Sequence, residues 1–113
     1  MKTTAIGQSA EGAVADHMVQ SGYKILDRNW KTKICEIDVI AAKDKIVYFV
    51  EVKYRATAQQ GSGLEYITDH KLNQIKFAAR IWCSNNNWDG DYRLLGAEVS
   101  SLNYENITLV EID

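Results

Sequence analysis

The sequence predicts an α/β fold in which helices flank a mixed β-sheet and the elements follow the order α-β-β-β-α-β-β. Short apolar segments typical of strands alternate with two longer segments whose apolar residues recur at helical spacing. Residues 46–50 are apolar at every position, which is typical of a central strand covered on both faces. The 113 residues, 46% hydrophobic and 25% charged, indicate one folded domain, which we expect to span residues 1–113.

The first half of the chain is predicted to contain one helix and three strands. Small and apolar side chains recur at helical spacing over residues 9–21, and Gly22 lies where a left-handed C-cap is common. Residues 23–30, 35–42 and 45–55 carry apolar segments of strand length with polar residues between them. We therefore predict a strand in each of these three segments, and the third is the central one.

The second half is predicted to supply the other helix and two closing strands. Residues 56–66 include two glycines and a serine in succession and are predicted to form a loop. Thr68 offers an N-cap for a helix that ends near residue 84. Asparagines and a glycine then break the helix, and residues 92–99 and 107–112 are the predicted closing strands.

Composition excludes several classes of protein. No apolar segment is long enough to cross a bilayer and no secretory leader opens the chain, so we expect no membrane contact. The two cysteines lack the spacing of a metal site or of a disulfide framework, which favours a reducing, cytoplasmic location. A net charge of -2 excludes a wholly basic, histone-like protein, although it leaves room for a local basic surface.

The side chains best suited to binding a metal or to catalysis lie in two short charged motifs. Glu36-Ile37-Asp38 is followed, after twelve residues, by Glu51-Val52-Lys53. Side chains alternate along a strand, so Glu51 and Lys53 share one face. A two-residue loop at residues 44–45 would place Asp38 directly opposite Glu51 on that face, and a loop at residues 43–44 would place it diagonally. A three-residue loop would put Asp38 on the other face, so a site requires one of the first two registers.

Opposed carboxylates have Cβ atoms about 5 Å apart and repel each other unless a cation lies between them. Carboxylate oxygens with open water positions suit Mg²⁺ or Mn²⁺, and Lys53 could hold a water or a phosphate oxygen beside them. Such a set is suited to attack on a phosphodiester by water. Glu11, on the border of the first helix's apolar stripe, could join the site.

The alternative is that these charged residues form a structural salt-bridge cluster, and their spacing alone favours this alternative. Glu36 is expected to pair with a lysine.

A wider set of residues carries a family resemblance, which covers about residues 7–82. The set is Glu11, Val14, Met18, Gly22, Tyr23, Ile25, Asn29, Glu36-Ile37-Asp38, Phe49-Val50-Glu51-Val52-Lys53-Tyr54-Arg55 and Lys71. In these residues the chain resembles the YraN family, which is similar to archaeal Holliday-junction resolvases and belongs to the PD-(D/E)xK nuclease superfamily. The resemblance implies a restriction-endonuclease-like fold and metal-dependent hydrolysis of phosphodiester bonds in DNA, with branched and single-stranded DNA among the candidate substrates.

The resemblance also implies roles for individual residues. Asp38 and Glu51 would ligate Mg²⁺ or Mn²⁺ with the Val52 carbonyl as a third ligand, and Lys53 would position the attacking water or stabilise the developing charge. Glu11 would complete the metal and catalytic site. Candidates for nucleic-acid contact are Lys71, Arg55, Gln74, Lys31, Lys33 and Trp30. Cys35 departs from the family pattern, which usually has glycine at this position.

Two alternatives to an enzyme stay open: a nuclease fold that binds nucleic acid without cutting it, and a protein-interaction module with a structural charged cluster. Resolvase-type enzymes act as dimers, so a homodimer is a candidate assembly, although nothing in the sequence identifies its surface. Residues 1–80 carry 12 basic and 9 acidic side chains, whereas residues 81–113 carry 1 basic and 6 acidic side chains. We therefore expect the acidic closing strands to face away from bound DNA.

Overall fold

The fold is seen in a computed structural model that describes residues 2–55, 67–100, 104 and 106–113, and their side chains except those of residues 2–9 and 55. The elements are α1 (Lys2–Gln20), β1 (Lys24–Lys31), β2 (Glu36–Lys43), β3 (Ile46–Arg55), α2 (Asp69–Asn85), β4 (Asp91–Ser100) and β5 (Asn106–Glu111). The predicted α/β class and order of elements are confirmed. The loop predicted over residues 56–66 lies outside the described residues.

One predicted boundary is wrong. Helix α1 begins at Lys2, whereas helical spacing predicted a start at residue 9. The added segment contains two β-branched threonines and Gly7, which have low helix propensity and hide the helical signal. The other predicted bounds agree with the structure to within one residue, which is the ordinary uncertainty of helix and strand ends.

The five strands form one sheet in the order β1-β2-β3-β4-β5. Strands β3 and β4 are parallel, and the other three neighbouring pairs are antiparallel. A parallel pair needs a crossover connection, and α2 lies in the chain between β3 and β4. Strand β3 is therefore central, as its apolar sequence predicted. Among the described helices, none is long and apolar enough to span a membrane.

Each face of the sheet has its own hydrophobic cluster. On the α1 side, Val14 and Met18 of the helix pack against Val50 of β3, and all three are fully buried. On the α2 side, the Phe49 ring makes edge-to-face contact with Trp82 of the helix at a centroid distance of 5.7 Å. The consecutive apolar residues of β3 thus fill both clusters, which explains why β3 lacks the alternation of a half-exposed strand.

A tight turn fixes how β2 and β3 pair. Lys43 is opposite Ile46, so Asp44 and Lys45 form a two-residue loop. Both loop residues have positive φ, 53° and 68°, as a type I′ hairpin turn requires. This is the first of the two registers that the sequence left open for a site.

The C-terminal end of α1 is tied to the same hairpin. Gly22 has φ 97° and ends the helix as predicted. The Lys43 ammonium donates to the Ser21 carbonyl at 2.7 Å and lies 5.0 Å from the centre of the Tyr23 ring. Because these contacts hold α1 against β2, they position Glu11, further back along the helix, near the opposite end of β2.

Candidate active site

The candidate site begins where the ladder between β2 and β3 stops. The last pair recorded is Val39 with Val50, and the same register places Asp38 opposite Glu51. Asp38 Oδ2 instead accepts a hydrogen bond from the Val52 N–H at 2.7 Å. A side chain thus replaces the partner strand at this point, and a backbone donor fixes the Asp38 carboxylate.

Strict alternation of side chains along β2 also ends at Asp38. Ile37 and Ile40 both belong to the α2-side cluster, although an uninterrupted strand would place them on opposite faces. Val39 belongs to the α1-side cluster. The strand therefore turns about Asp38, and sequence reasoning could not have foreseen this change. Since the N–H and C=O of one strand residue point to the same side, the Val52 carbonyl also faces β2 here.

Burial and like charges act together on Asp38. Burial, and then the charge of Glu51, raises the pKa of Asp38 to about 8, and the charges of Glu11 and Glu36 act in the same direction. The Val52 N–H bond lowers the pKa but does not cancel these effects. At neutral pH the ion-free chain therefore holds a proton on Asp38.

Glu51 lies beside two positive charges. Burial raises the pKa of Glu51, whereas the charges of Lys71 and Lys53 oppose that rise. Lys71 Nζ is 3.9 Å from Glu51 Oε2, and the two side chains are 34% and 16% exposed. Lys71 lies in the first turn of α2, and the Thr68 N-cap accepts a hydrogen bond from its backbone N–H. Helix α2 thus places the Lys71 ammonium group beside the Glu51 carboxylate of β3.

Glu11 of α1 reaches the same group of carboxylates. Burial and the charge of Glu36 raise the pKa of Glu11, whereas a hydrogen bond with the Asp38 carboxyl group and the charge of Arg28 lower it. The titrations of Glu11 and Asp38 are therefore coupled, and the net effect of the surroundings is to raise both pKa values.

Two further residues of the site, Asn29 and Glu36, were not predicted. The neighbouring pairs of β1 and β2 place Asn29 opposite Asp38, and Asn29 has a left-handed φ of 52°. With its amide nitrogen turned to the carboxylates, Asn29 donates to Glu11 Oε1 at 2.6 Å and to Glu36 Oε2 at 3.3 Å. Glu36, which was expected to pair with a lysine, faces this amide. The sequence gives a weak signal for Asn29, which is one of the few residues that adopt this φ readily.

The remaining predicted residues lie at differing distances from this group. Lys53 follows Glu51 by two residues on β3 and is half-buried, and Gln74 lies one helical turn after Lys71. Lys31 and Lys33 are exposed at the end of β1 and in the turn after it. Trp30 is half-buried against the α2-side cluster. The backbone of Arg55 ends β3, and its side chain lies outside the described residues.

The donor set fits a hard divalent cation. Asp38, Glu51 and the Val52 carbonyl offer oxygen atoms, and a cation would offset the burial and the neighbouring negative charges that raise the pKa values of the two carboxyl groups. Among the described residues, no three His, Cys, Asp or Glu side chains are already arranged around one metal position. Water would therefore have to complete the coordination, as is usual for Mg²⁺. Burial raises the pKa of the neighbouring Cys35 thiol, which keeps it neutral.

Comparison with known proteins assigns the family. The family model described as "Uncharacterised protein family UPF0102" matches residues 10–112. The chain belongs to the UPF0102 family. This confirms the predicted resemblance, because UPF0102 is the YraN family. The matched range includes all the carboxylates described above.

Several UPF0102 proteins align over most of the chain. A UPF0102 protein of Fusobacterium nucleatum is 37% identical over 94 residues, which cover 83% of this chain and 78% of the relative. One from Sulfurihydrogenibium is 39% identical over 94 residues, covering 82% of each chain. One from Prosthecochloris aestuarii is 36% identical over 109 residues, covering 96% and 86% respectively. The names of these UPF0102 relatives state the family and no activity.

Proposed function

We propose that the protein is a metal-dependent endonuclease that hydrolyses phosphodiester bonds in DNA, with branched and single-stranded DNA as the first candidate substrates. One observation carries the proposal. Where β2 and β3 separate, Glu51 and Glu11 lie close enough to raise the pKa of the buried Asp38, and Glu11 also raises the pKa of Glu51. Buried carboxylates that repel one another destabilise a fold, so their convergence at one end of the sheet favours a functional site.

The cofactor proposed is Mg²⁺ or Mn²⁺, held by Asp38 and Glu51 with the Val52 carbonyl, and with Glu11 directly or through water. When bound, such a cation polarises a water molecule and offsets the charge that develops on the phosphate. The hydrogen bond from the Val52 N–H orients the Asp38 carboxylate for such a role. Asp38 would bind such a cation in its deprotonated form, so cation binding would release a proton that the raised pKa retains.

Two lysines, Lys53 and Lys71, supply positive charge beside the carboxylates. Lys53 lies on the same strand as Glu51, and its charge reaches that carboxylate. In the proposed reaction Lys53 positions the attacking water or stabilises the developing negative charge. Lys71 pairs with Glu51 in the ion-free chain, and with a cation present it is available to a phosphate oxygen. Lys71 lies in the first turn of α2, where backbone N–H groups point out of the helix end and also attract anions.

The proposed DNA-binding surface extends from this site through Gln74 and Arg55 and towards Trp30, Lys31 and Lys33. These residues provide few phosphate contacts, so a single chain should bind DNA weakly and with a modest dependence on salt. A homodimer would double the contacts. Both cysteines are free thiols, which suits the cytoplasmic location that we propose.

A second candidate function is DNA binding without cleavage, and one observation favours it. In the ion-free chain the Lys71 ammonium pairs with Glu51, and within the described residues no three-ligand metal centre is formed in advance. A lysine that remained in this position would neutralise the carboxylate and exclude a cation. Such a protein would bind DNA in a salt-sensitive manner that does not depend on Asp38 or Glu51.

Cleavage assays with matched lysine variants test the proposal. Purified protein is incubated with continuous, nicked, branched and single-stranded DNA and with RNA, in Mg²⁺, in Mn²⁺ or in chelator. We expect DNA cleavage that requires the cation, and a loss of about a hundredfold in rate for Lys53→Ala. Lys45→Ala, which removes an exposed lysine from the β2–β3 turn, is the control and should cleave normally. Cleavage that persists in chelator, or that Lys53→Ala leaves unchanged, would contradict the proposal.

A further inference from the structure

The turn between β1 and β2 is held by an unusual concentration of hydrogen bonds. The Thr32 hydroxyl accepts from the backbone N–H groups of Ile34 at 3.2 Å and Cys35 at 3.1 Å. The same hydroxyl lies 3.1 Å from the Cys35 carbonyl, which also accepts from the Thr32 N–H at 2.8 Å. Thr32 therefore fixes residues 32–35 in one conformation.

This fixed turn presents an isoleucine to solvent. The Ile34 side chain is 49% exposed, whereas the adjacent Cys35 is 8% exposed and packs in the α2-side cluster. Lys31 and Lys33 both precede Ile34 in the chain and are exposed, and neither forms an ion pair with a described carboxylate. An apolar tip beside two lysines combines attraction to phosphate with a group that avoids water.

The turn leads directly into the candidate site. Strand β2 begins two residues after Ile34, at Glu36, and Asp38 follows two residues later. At the extended spacing of about 3.3 Å per residue, the four residues from Ile34 to Asp38 span at most roughly 13 Å. That span corresponds to about four base steps of DNA, at about 3.4 Å per step along one strand. DNA whose backbone reached Asp38 would thus pass the tip of the turn.

We propose that the turn is a wedge whose Ile34 inserts between bases of the bound DNA while Lys31 and Lys33 hold the adjoining phosphates. The inference rests on the proposed function and adds to it a preference for sites where a base step is already open. Isoleucine is one of the apolar side chains that proteins insert between base steps, and the cost of unstacking is lowest where pairing or stacking is already broken. The fixed conformation of the turn supports this role, because the wedge loses little conformational freedom on binding.

The two lysines beside Ile34 argue against a second copy of the chain as its partner. In a two-fold dimer through this turn, the same patch of each copy would face the other. Lys31 and Lys33 of the two copies would then be brought together, and like charges in contact oppose association. DNA carries the opposite charge, so the same lysines favour it.

DNA binding by an uncleaving form of the protein tests the wedge. Every variant carries Asp38→Asn, so that binding is measured without cleavage. The probes are a continuous duplex and the same duplex with a nick, each with a fluorescent base analogue that brightens when it is unstacked. Ile34→Ser removes the wedge and Ile34→Leu preserves an apolar tip. Val19→Ser is the matched control, because Val19 is 54% exposed and lies on α1.

We expect the parent and Ile34→Leu to bind the nicked probe about tenfold more tightly than the continuous one and to brighten the analogue. Ile34→Ser should lose both effects, and its affinity for the continuous duplex and its melting temperature should stay unchanged. Parent-like brightening and preference in Ile34→Ser would overturn the wedge while leaving the nuclease proposal intact. A parent that binds neither probe would overturn both. Self-association of the parent that Ile34→Ser abolishes would show that Ile34 contacts protein, and would also overturn the wedge.

Discussion

At the scale of single residues, two opposing effects act on the pKa of Asp38. A backbone N–H orients its carboxylate, which favours the ionised form, while burial and three neighbouring carboxylates favour the protonated form. The second effect is larger, and the pKa rises from an ordinary value of 3.8 to about 8. Asp38 is therefore a source of instability in the ion-free protein, as is common for residues that serve function rather than folding.

The raised pKa of Asp38 sets the direction of a pH effect on stability. Between pH 4 and pH 8 the folded chain retains a proton that the unfolded chain has lost, so stability falls as pH rises through this window. Asp38→Asn cannot ionise, and its amide oxygen can still accept from Val52. Without divalent cations we expect it to raise the free energy of unfolding at pH 8 by at least about 1.4 kcal/mol, or about 5 °C in melting temperature.

Thermal unfolding at pH 5 and pH 8 measures this effect. The gain from Asp38→Asn should be larger at pH 8 than at pH 5. Asp89→Asn, which changes an exposed carboxylate between α2 and β4, should show no such difference. A lower melting temperature for Asp38→Asn at both pH values would mean that Asp38 stabilises the fold.

Asn29 provides a second test at the residue scale. Asn29→Gly removes the amide that joins Glu11 and Glu36 but retains the left-handed backbone, because glycine adopts positive φ without strain. Without the amide the two carboxylates repel each other, so we expect a loss of about 1 kcal/mol in the free energy of unfolding at pH 8. Mg²⁺ should restore part of this loss. An unchanged melting temperature in chelator would show that the amide does not join the carboxylates in solution.

The sequence predicted some of these residues and not others, for a physical reason. Asp38, Glu51 and Lys53 follow from spacing along two strands that a short turn connects. Asn29 faces Asp38 only through the register of β1, and that register shifts between Ile25 and Asp27. Sequence periodicity does not reveal such an irregularity, because a bulge depends on the backbone conformation of one residue.

At the scale of elements, the β2–β3 turn determines the site. Its two-residue length fixes which residues of β2 and β3 are opposite each other, and the register seen is one of the two that the sequence left open. The N-cap of α2 at Thr68 and the left-handed cap at Gly22 were also predictable, because each depends on local chemistry. The turn of β2 about Asp38 was not predictable, since it depends on Ile37 packing with the distant helix α2.

The β2–β3 turn itself holds strain that substitution can release. Lys45 has φ 68°, which costs a non-glycine residue about 1 kcal/mol, and type I′ turns prefer glycine at this position. We expect Lys45→Gly to raise the free energy of unfolding by about 1 kcal/mol in denaturant titrations. Lys45→Ala, which keeps the Cβ in the left-handed region, should give no gain. If alanine stabilised the protein as much as glycine, the lysine charge and not the backbone would be the cause.

At the scale of the whole molecule, two helices on opposite faces of the sheet meet the same carboxylates. Glu11 comes from α1, Lys71 from α2, and Asp38 and Glu51 from the strands between them. A cation bound by these carboxylates would therefore connect both layers of the fold, and it would stabilise the folded chain as a whole. The net charge of -2 is consistent with this arrangement, because a divalent cation would offset part of the charge of the site.

Thermal melting in Mg²⁺ or Mn²⁺ tests this connection. At a cation concentration of about 100 times Kd, we expect the wild-type protein to gain about 2.7 kcal/mol at pH 8. Asp38→Asn and Glu51→Gln should each lose most of this gain, whereas Asp89→Asn should keep it. Equal stabilisation of all four proteins would show that the cation binds elsewhere.

The central claim is that Asp38 and Glu51 support metal-dependent hydrolysis of DNA. The most direct test is strand cleavage of end-labelled DNA in Mg²⁺ by the wild-type protein and by the Asp38→Asn/Glu51→Gln double variant, purified in parallel. We expect cleavage by the wild type and by the control Asp89→Asn, and no cleavage by the double variant, although it should melt at least as high as the wild type in chelator. Cleavage by the folded double variant at the wild-type rate would contradict the claim.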